Sequence, residues 1–339
     1  MLVLGALMTN TTTYPLTTKP NTSTGDRGAP KLDADLKKQL MKRTPVRTAI
    51  IYANAVLIIA LGMTALLLDD RGTIDLSWYA KGLTVIMLGL IYAHFTELQH
   101  ELLHGHAFKS QRLNRVLGFF CGLFMLNSFS HYKYHHLRHH RHLGTALNSE
   151  FFNYPEKGIN SPLKLLSAAL NPGRFIRVGA LMIKSLLGTT LKDIQDNKAH
   201  THARQEYCLY FVILSAAIAF TLVTGSMFFI VAWFIPMVLI AEPAHYLIEL
   251  PEHFGLDAYS EPNFNRNTRS IEASWVARWY TNGNNLHTAH HSLASVPMGH
   301  CQALHDCSRA HMEVIEQDYW TFYRKVMSGE LKPFNRKSE

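Results

Sequence analysis

Cysteine is scarce in this chain. Four are present, Cys121, Cys208, Cys301 and Cys307, and no two of them form a CxxC pair. Two lie in apolar stretches, which argues against a disulfide framework and for a reducing compartment. Acidic residues are also outnumbered, 25 Asp and Glu against 33 Lys and Arg, for a formal net charge of +8. A basic balance suits nucleic acid or an anionic membrane surface, and long apolar spans decide for the membrane. The opening MLVLGALM has no basic residue before its short apolar run, so it does not read as a signal peptide. Residues 1–30 are rich in Thr, Asn, Pro and Gly without hydrophobic period, and read as a disordered tail.

A mean hydropathy of −0.02 conceals long apolar blocks separated by very polar stretches. Crossing a bilayer takes about 20 largely apolar residues. Four segments approach this: 48–68, 78–95, 207–223 and 227–241. The last two are parted only by Thr224, Gly225 and Ser226 and read as a tight hairpin. Residues 116–129 are too short for a span and suit a re-entrant or interfacial segment. Residues 163–191 mix apolar residues with Lys164, Arg174, Arg177 and Lys184, as interfacial helices do. The expected fold is all-α: two transmembrane hairpins under a helical cap. It forms one membrane domain over 31–325, followed by a polar tail over 326–339.

Charge asymmetry orients it. Lys37, Lys38, Lys42, Arg43 and Arg47 precede the first span, whereas Asp69, Asp70 and Asp75 follow it with one Arg71. The basic side faces the cytoplasm. Counting spans from there brings every histidine-dense stretch to that face.

Histidine is the abundant residue, with 20 in the chain. One cluster holds His100, Glu101, His104 and His106 at the end of the second span. The next runs from His135 through His142, with His136, His139 and His140 at i, i+3, i+4. His287, His290 and His291 repeat that spacing. Residues one helical turn apart share a face and converge on one metal ion. A fourth element, His245, Glu249 and His253, has four-residue intervals that align on a helix, with Pro251 disturbing it. A zinc site takes three or four protein ligands, so eight or nine imidazoles on one face call for two metals. Imidazole suits iron, zinc and copper alike.

The plainer readings have their place. Isolated His94, His200, His202, His300, His305 and His311 read as solvated or hydrogen-bonded residues. His106, His131, His135 and His142 are dense neighbours outside the spaced pattern. HHLRHHRH alone could be basic surface for lipid headgroups, but three spaced clusters on one face count against that.

These residues resemble the membrane fatty acid desaturase and hydroxylase superfamily. Its three histidine boxes read here as HELLH at 100–104, HLRHH at 136–140 and HTAHH at 287–291. The likeness runs from about residue 48 to 310. It implies a di-iron centre held by His100, His104, His136, His139, His140, His287, His290 and His291. EHFGL at 252–256 is similar to the EHYGL-type segment of alkane hydroxylases and implies His253 as a ninth ligand. Several relatives carry asparagine where this chain has Glu249, which reads as an orienting partner or an extra ligand. Glu101 and His135, with His106, read as further supporting groups, Glu101 through a hydrogen bond to another histidine.

The implied chemistry is O2-dependent oxidation of an unactivated C–H bond in a fatty acyl or other lipid-like substrate. Desaturation leads, ahead of hydroxylation and alkene-forming decarboxylation. No cytochrome b5-like HPGG segment occurs, so a separate donor such as a ferredoxin is expected; the basic face also suits an acyl carrier protein. Two readings from other classes compete. A histidine-rich metal transporter would line its spans with ionisable groups, which are nearly absent here. A membrane haem carrier would show a Soret band.

Overall fold

The computed structural model describes residues 26–152, 154–189 and 191–335. The opening apolar run and most of the expected disordered tail lie outside them. The end of that stretch is folded: Asp26–Gly28 form a 3-10 turn, and the Arg27 guanidinium sits 4.3 Å over the Phe264 ring.

Fourteen α-helices follow among the described residues: α1 (Ala34–Leu40), α2 (Pro45–Asp70), α3 (Trp78–His104), α4 (Gln111–Leu123), α5 (Phe129–His142), α6 (Pro162–Leu170), α7 (Pro172–Leu186), α8 (Asn197–Thr224), α9 (Glu242–Glu249), α10 (Phe264–Asn267), α11 (Trp275–Tyr280), α12 (His287–Ser292), α13 (Cys301–Ser308) and α14 (Tyr319–Met327). Among the described residues the only ladder is a parallel pair of two-residue strands, β1 (Ser270–Ile271) with β2 (Ile315–Glu316). The fold is all-α, as expected.

Among the described residues, three helical stretches are long and apolar enough to cross a membrane: Ala34–Asp70, Asn197–Thr224 and Ile230–Glu252. Leu57, Leu61, Val212, Leu222 and Val223 on them are exposed, as lipid-facing side chains would be. α3 is not among the three. Its first half exposes Leu83, Ile86 and Leu90, but from Ile91 to Leu103 every residue is buried, including Thr96, Glu97, Gln99 and His100. Its second half therefore belongs to the protein core, where Phe95, Leu98 and Leu102 pack beside these polar residues.

α8 stops at the expected turn, where Gly225 takes φ +71. Ser226 Oγ donates to Asp70 at 2.6 Å, so the end of α2 meets the tip of this hairpin. The following span is wound as a wide π-helix over Ile230–Phe234 and Pro236–Ala241 before α9 continues it. Pro236 has no N–H to offer a regular ladder. The Tyr92 hydroxyl donates to Ala232 O at 2.6 Å, and α3 packs against this stretch at Gly89. A Cβ at Gly89 would fall 2.4 Å from Ile240 Cβ, so only glycine permits that approach.

Residues 116–129 are not one segment. α4 ends at Leu123 and the chain reverses through Leu126 (φ 56) to the cap of α5 at Ser128. The mixed 163–191 stretch forms α6 and α7, parted at Asn171 and Pro172. Arg174 of α7 is buried, and its guanidinium meets Glu242 at 2.7 Å, Asn127 Oδ1 at 2.9 Å and Met125 O at 3.0 Å. At the C-terminus, the polar tail expected from 326 begins inside α14. Phe322 and Val326 share its buried face, which holds the helix onto Phe254 and Tyr246.

Candidate metal centre

Each histidine box sits on a helix whose end is chemically defined. α3 closes at Gly105, whose φ of +74 forms the left-handed cap directly after His104. α5 opens at Ser128, whose Oγ accepts from His131 N. Glu206 of α8 accepts from Ser128 Oγ at 2.7 Å and from the Ser130 N–H at 2.8 Å. A carboxylate at a helix N-terminus is favoured by the exposed N–H groups and the helix dipole. It also ties box two to a membrane-length helix. α12 is short and wholly buried, and is held at its start by the Thr288 N–H bond to Ser270 Oγ at 3.2 Å.

The boxes do not map one to one onto sites. His100, His104, His136, His140 and His290 form one group, and His139, His253, His287 and His291 form a second. In each group, the ligand atoms lie within 4.8 Å of one another. Boxes one and two give their i, i+4 pairs to the first group. Box three gives its pair, His287 and His291, to the second. The remaining histidine of box two, His139, joins the second group, and that of box three, His290, joins the first. His253 completes the second group.

The nitrogens suit metal ions. His136 Nε2 lies 2.7 Å from His100 Nε2, 3.0 Å from His104 Nε2 and 2.9 Å from His140 Nε2. One ring nitrogen offers a single proton or a single lone pair, so it cannot satisfy three neighbours. A central cation would satisfy all of them, and bonds of about 2.0–2.1 Å place neighbouring ligand nitrogens about 2.9–3.4 Å apart. In the second group, His287 Nε2 is 3.1 Å from His253 Nε2, and His139 Nε2 is 3.3 Å from His291 Nε2. Both ring nitrogens of buried His290 lack a hydrogen-bond partner.

In the second group, outer partners set the tautomer. His253 Nδ1 donates to the Asn267 carbonyl at 2.8 Å, His139 Nδ1 to Asn148 Oδ1 at 2.8 Å and His287 Nδ1 to Asn284 Oδ1 at 3.2 Å. Each leaves the Nε2 lone pair free for a metal. Burial, then the neighbouring imidazoles, hold His100, His104, His136, His140, His287 and His291 well below the ordinary histidine pKa. Burial likewise takes His253 down to about 4. His139 is the exception. Burial opposes its charge, but the Glu150 carboxylate at 2.6 Å outweighs that and raises it.

Several expected supporting residues are placed differently. Glu101 does not meet a histidine; it accepts from Thr48 Oγ1 at 3.2 Å and Asn282 Nδ2 at 3.0 Å, joining α2 to the loop before α12. Glu249 stays off the second group and lies 3.5 Å from His245 Nδ1. Glu252, absent from the expected set, has Oε2 3.2 Å from His287 Nε2, where a metal would bind. The cause is local: α9 ends at Glu249 and Leu250–Glu252 form a 3-10 turn, which rotates each residue further than an α-turn does. EHFGL carries the signal, since Glu252 adjoins His253. Glu150 was also missed. Glu249, Glu252, Glu97 and His245 line a chamber with Tyr132, Phe151 and Phe152 beside the second group.

His106 stacks beside His104, with ring centroids 5.7 Å apart, and belongs to neither group. His135 is also in neither group. Among the isolated histidines, His94 bonds the Tyr280 carbonyl at 2.6 Å, His200 accepts from Leu191 N and His305 meets Glu272, as hydrogen-bonded residues do.

Membrane-length helices under a cap that gathers nine buried or half-buried imidazoles into two metal-binding groups define a membrane metalloenzyme rather than a headgroup-binding surface. The family model described as fatty acid desaturase matches residues 76–325, and the chain belongs to that family. It is a membrane oxidoreductase whose histidine clusters are able to bind metal. No curated protein matches it.

Proposed function

We propose that the chain is an O2-dependent di-iron oxidase that introduces a double bond into a fatty acyl chain. The observation that carries this is the division of nine imidazoles into a group of five and a group of four, each with ligand-like nitrogen spacing. Iron bound in these groups would supply the O2-dependent oxidation of a C–H bond, with electrons from an external donor such as a ferredoxin.

The chain's own residues hold and orient. Asn148, Asn284 and the Asn267 carbonyl fix three rings of the second group, and Glu252 sets a carboxyl oxygen beside them. Tyr132, Phe151 and Phe152 wall the small, carboxylate-lined chamber beside the second group, and wherever the acyl chain docks, positioning one methylene is what selects the product. The 78–95 part of α3 serves as a fourth span, since 18 residues at about 1.5 Å each reach about 27 Å. With the basic residues before α2 on the inside, the histidine groups face the cytoplasm.

Hydroxylation is the second reading, favoured by the carboxylate of the EHFGL segment at His287. Cells expressing the chain, beside a His290→Ala control, test both. A product two hydrogens lighter than substrate supports desaturation, and one with an added oxygen supports hydroxylation. Undiminished product from His290→Ala overturns the metal assignment.

A further inference from the structure

Outside the two groups lies a third convergence of ligand atoms: His131 and His135, one turn apart on α5, and Asp193 from the segment between α7 and α8. Asp193 Oδ2 sits 2.9 Å from His131 Nε2 and 3.5 Å from His135 Nε2. One carboxylate oxygen thus faces two imidazole nitrogens. Ligands at about 2.0–2.1 Å from an ion stand about 2.9 Å apart at a right angle and about 3.4 Å apart at the tetrahedral angle. The two observed separations match those edges.

A simple hydrogen-bond chain accounts for only part of this. His131 is satisfied by Tyr207 Oη at 2.8 Å on Nδ1 and by Asp193 on Nε2. His135 is not. It is buried, its Nδ1 has no hydrogen-bond partner, and its Nε2 meets only the Asp193 oxygen at 3.5 Å. Leaving a buried polar group unpaired costs about 1–3 kcal/mol, so the sequence maintains this imidazole against a penalty unless something binds it.

We propose that His131, His135 and Asp193 form a third divalent-metal site, distinct from the two histidine groups. Two imidazoles and one carboxylate select a first-row transition ion such as zinc or ferrous iron over calcium or magnesium, which favour oxygen ligands. The Asp193 side chain is 48% exposed against 4% for His131, so the ion is reached from solvent and keeps water in its open positions. Its place in the fold gives its role. It pins the segment before α8 onto the box-two helix, beside the Gln195 N–H bond to Tyr134 Oη at 3.2 Å.

Purified full-length protein carrying its resident metal is titrated with ZnCl2 alone, and uptake is followed by calorimetry and by metal analysis. One additional saturable equivalent is expected, lost in both Asp193→Asn and His135→Gln while their resident metal stays at the wild-type level. No additional equivalent in the wild type overturns the proposal, and that result needs no variant. Retention of the equivalent in both variants overturns it as well. So does loss of the resident metal together with the added zinc, which would make these residues packing for box two. Because the readout is zinc uptake, its outcome is separate from whether the other groups support oxidation.

Discussion

Replacing Arg174 by Met would take the ion-pair partner from the buried Glu242 carboxylate. Both residues are buried, and the guanidinium also serves Met125 O and Asn127 Oδ1 in the turn that aims α5. Breaking a buried pair from one side costs about 3–5 kcal/mol, because the surviving charge has lost both water and partner. At about 2–4 °C per kcal/mol, the melting temperature should fall by roughly 6–20 °C. Adding Glu242→Leu removes the stranded charge. What then remains is the two orphaned acceptors, at about 1–3 kcal/mol each. Thermal unfolding of the detergent-solubilised protein, compared at one scan rate because such transitions are often irreversible, measures the difference. The double variant should melt above Arg174→Met. If it melts at or below the single variant, the cost does not come from an uncompensated charge and the reasoning fails.

Two further outcomes follow from the site and its surroundings. Glu252→Gln should weaken one of the two bound metals by about 10–100-fold in a chelator competition and leave the other unchanged; equal affinity would exclude Glu252 from the centre. Glu272, beside Arg309 and His305, is held by that guanidinium at a pKa of about 2 against an ordinary 4.5. A depressed carboxylate stabilises the fold above its unfolded pKa and loses that contribution as pH falls through the folded one. The stability gap between wild type and Glu272→Gln should therefore be full at neutral pH and close between about pH 4.5 and pH 2. A gap that persists unchanged at the acid end would show that the carboxylate acts through packing.

The histidine boxes were legible because i, i+4 spacing is a local property of a helix. Their division was not. The HxxHH pattern reads as one face, yet His139 and His140 part company, because each helix lies between partners that no local spacing names. Glu249 was chosen by the same helical arithmetic that found the ligands. The structure sets it 3.5 Å from His245 Nδ1, as an orienting partner would lie, while the 3-10 turn over Leu250–Glu252 brings Glu252 to His287. α3 shows the opposite limit. Its apolar first half is plain in the sequence, but burial from Ile91 onward mixes lipid-facing and core-facing roles within one helix. Asp193 carries no local signal at all, since 58 residues part it from His135 (193 − 135) and only the path of the chain between α7 and α8 brings them together.

Two pairs of sequence neighbours, His139 with His140 and His290 with His291, each straddle both groups. The His140 and His291 rings stack with centroids 4.1 Å apart. The spacing of the two groups is thereby gauged by single peptide units, which hardly stretch. It also orders assembly. Both groups draw residues from α12, so neither can be completed until the ribosome has passed residue 291. A chain halted after His253 and before α12 would hold four of the five imidazoles of the first group but only two of the four of the second.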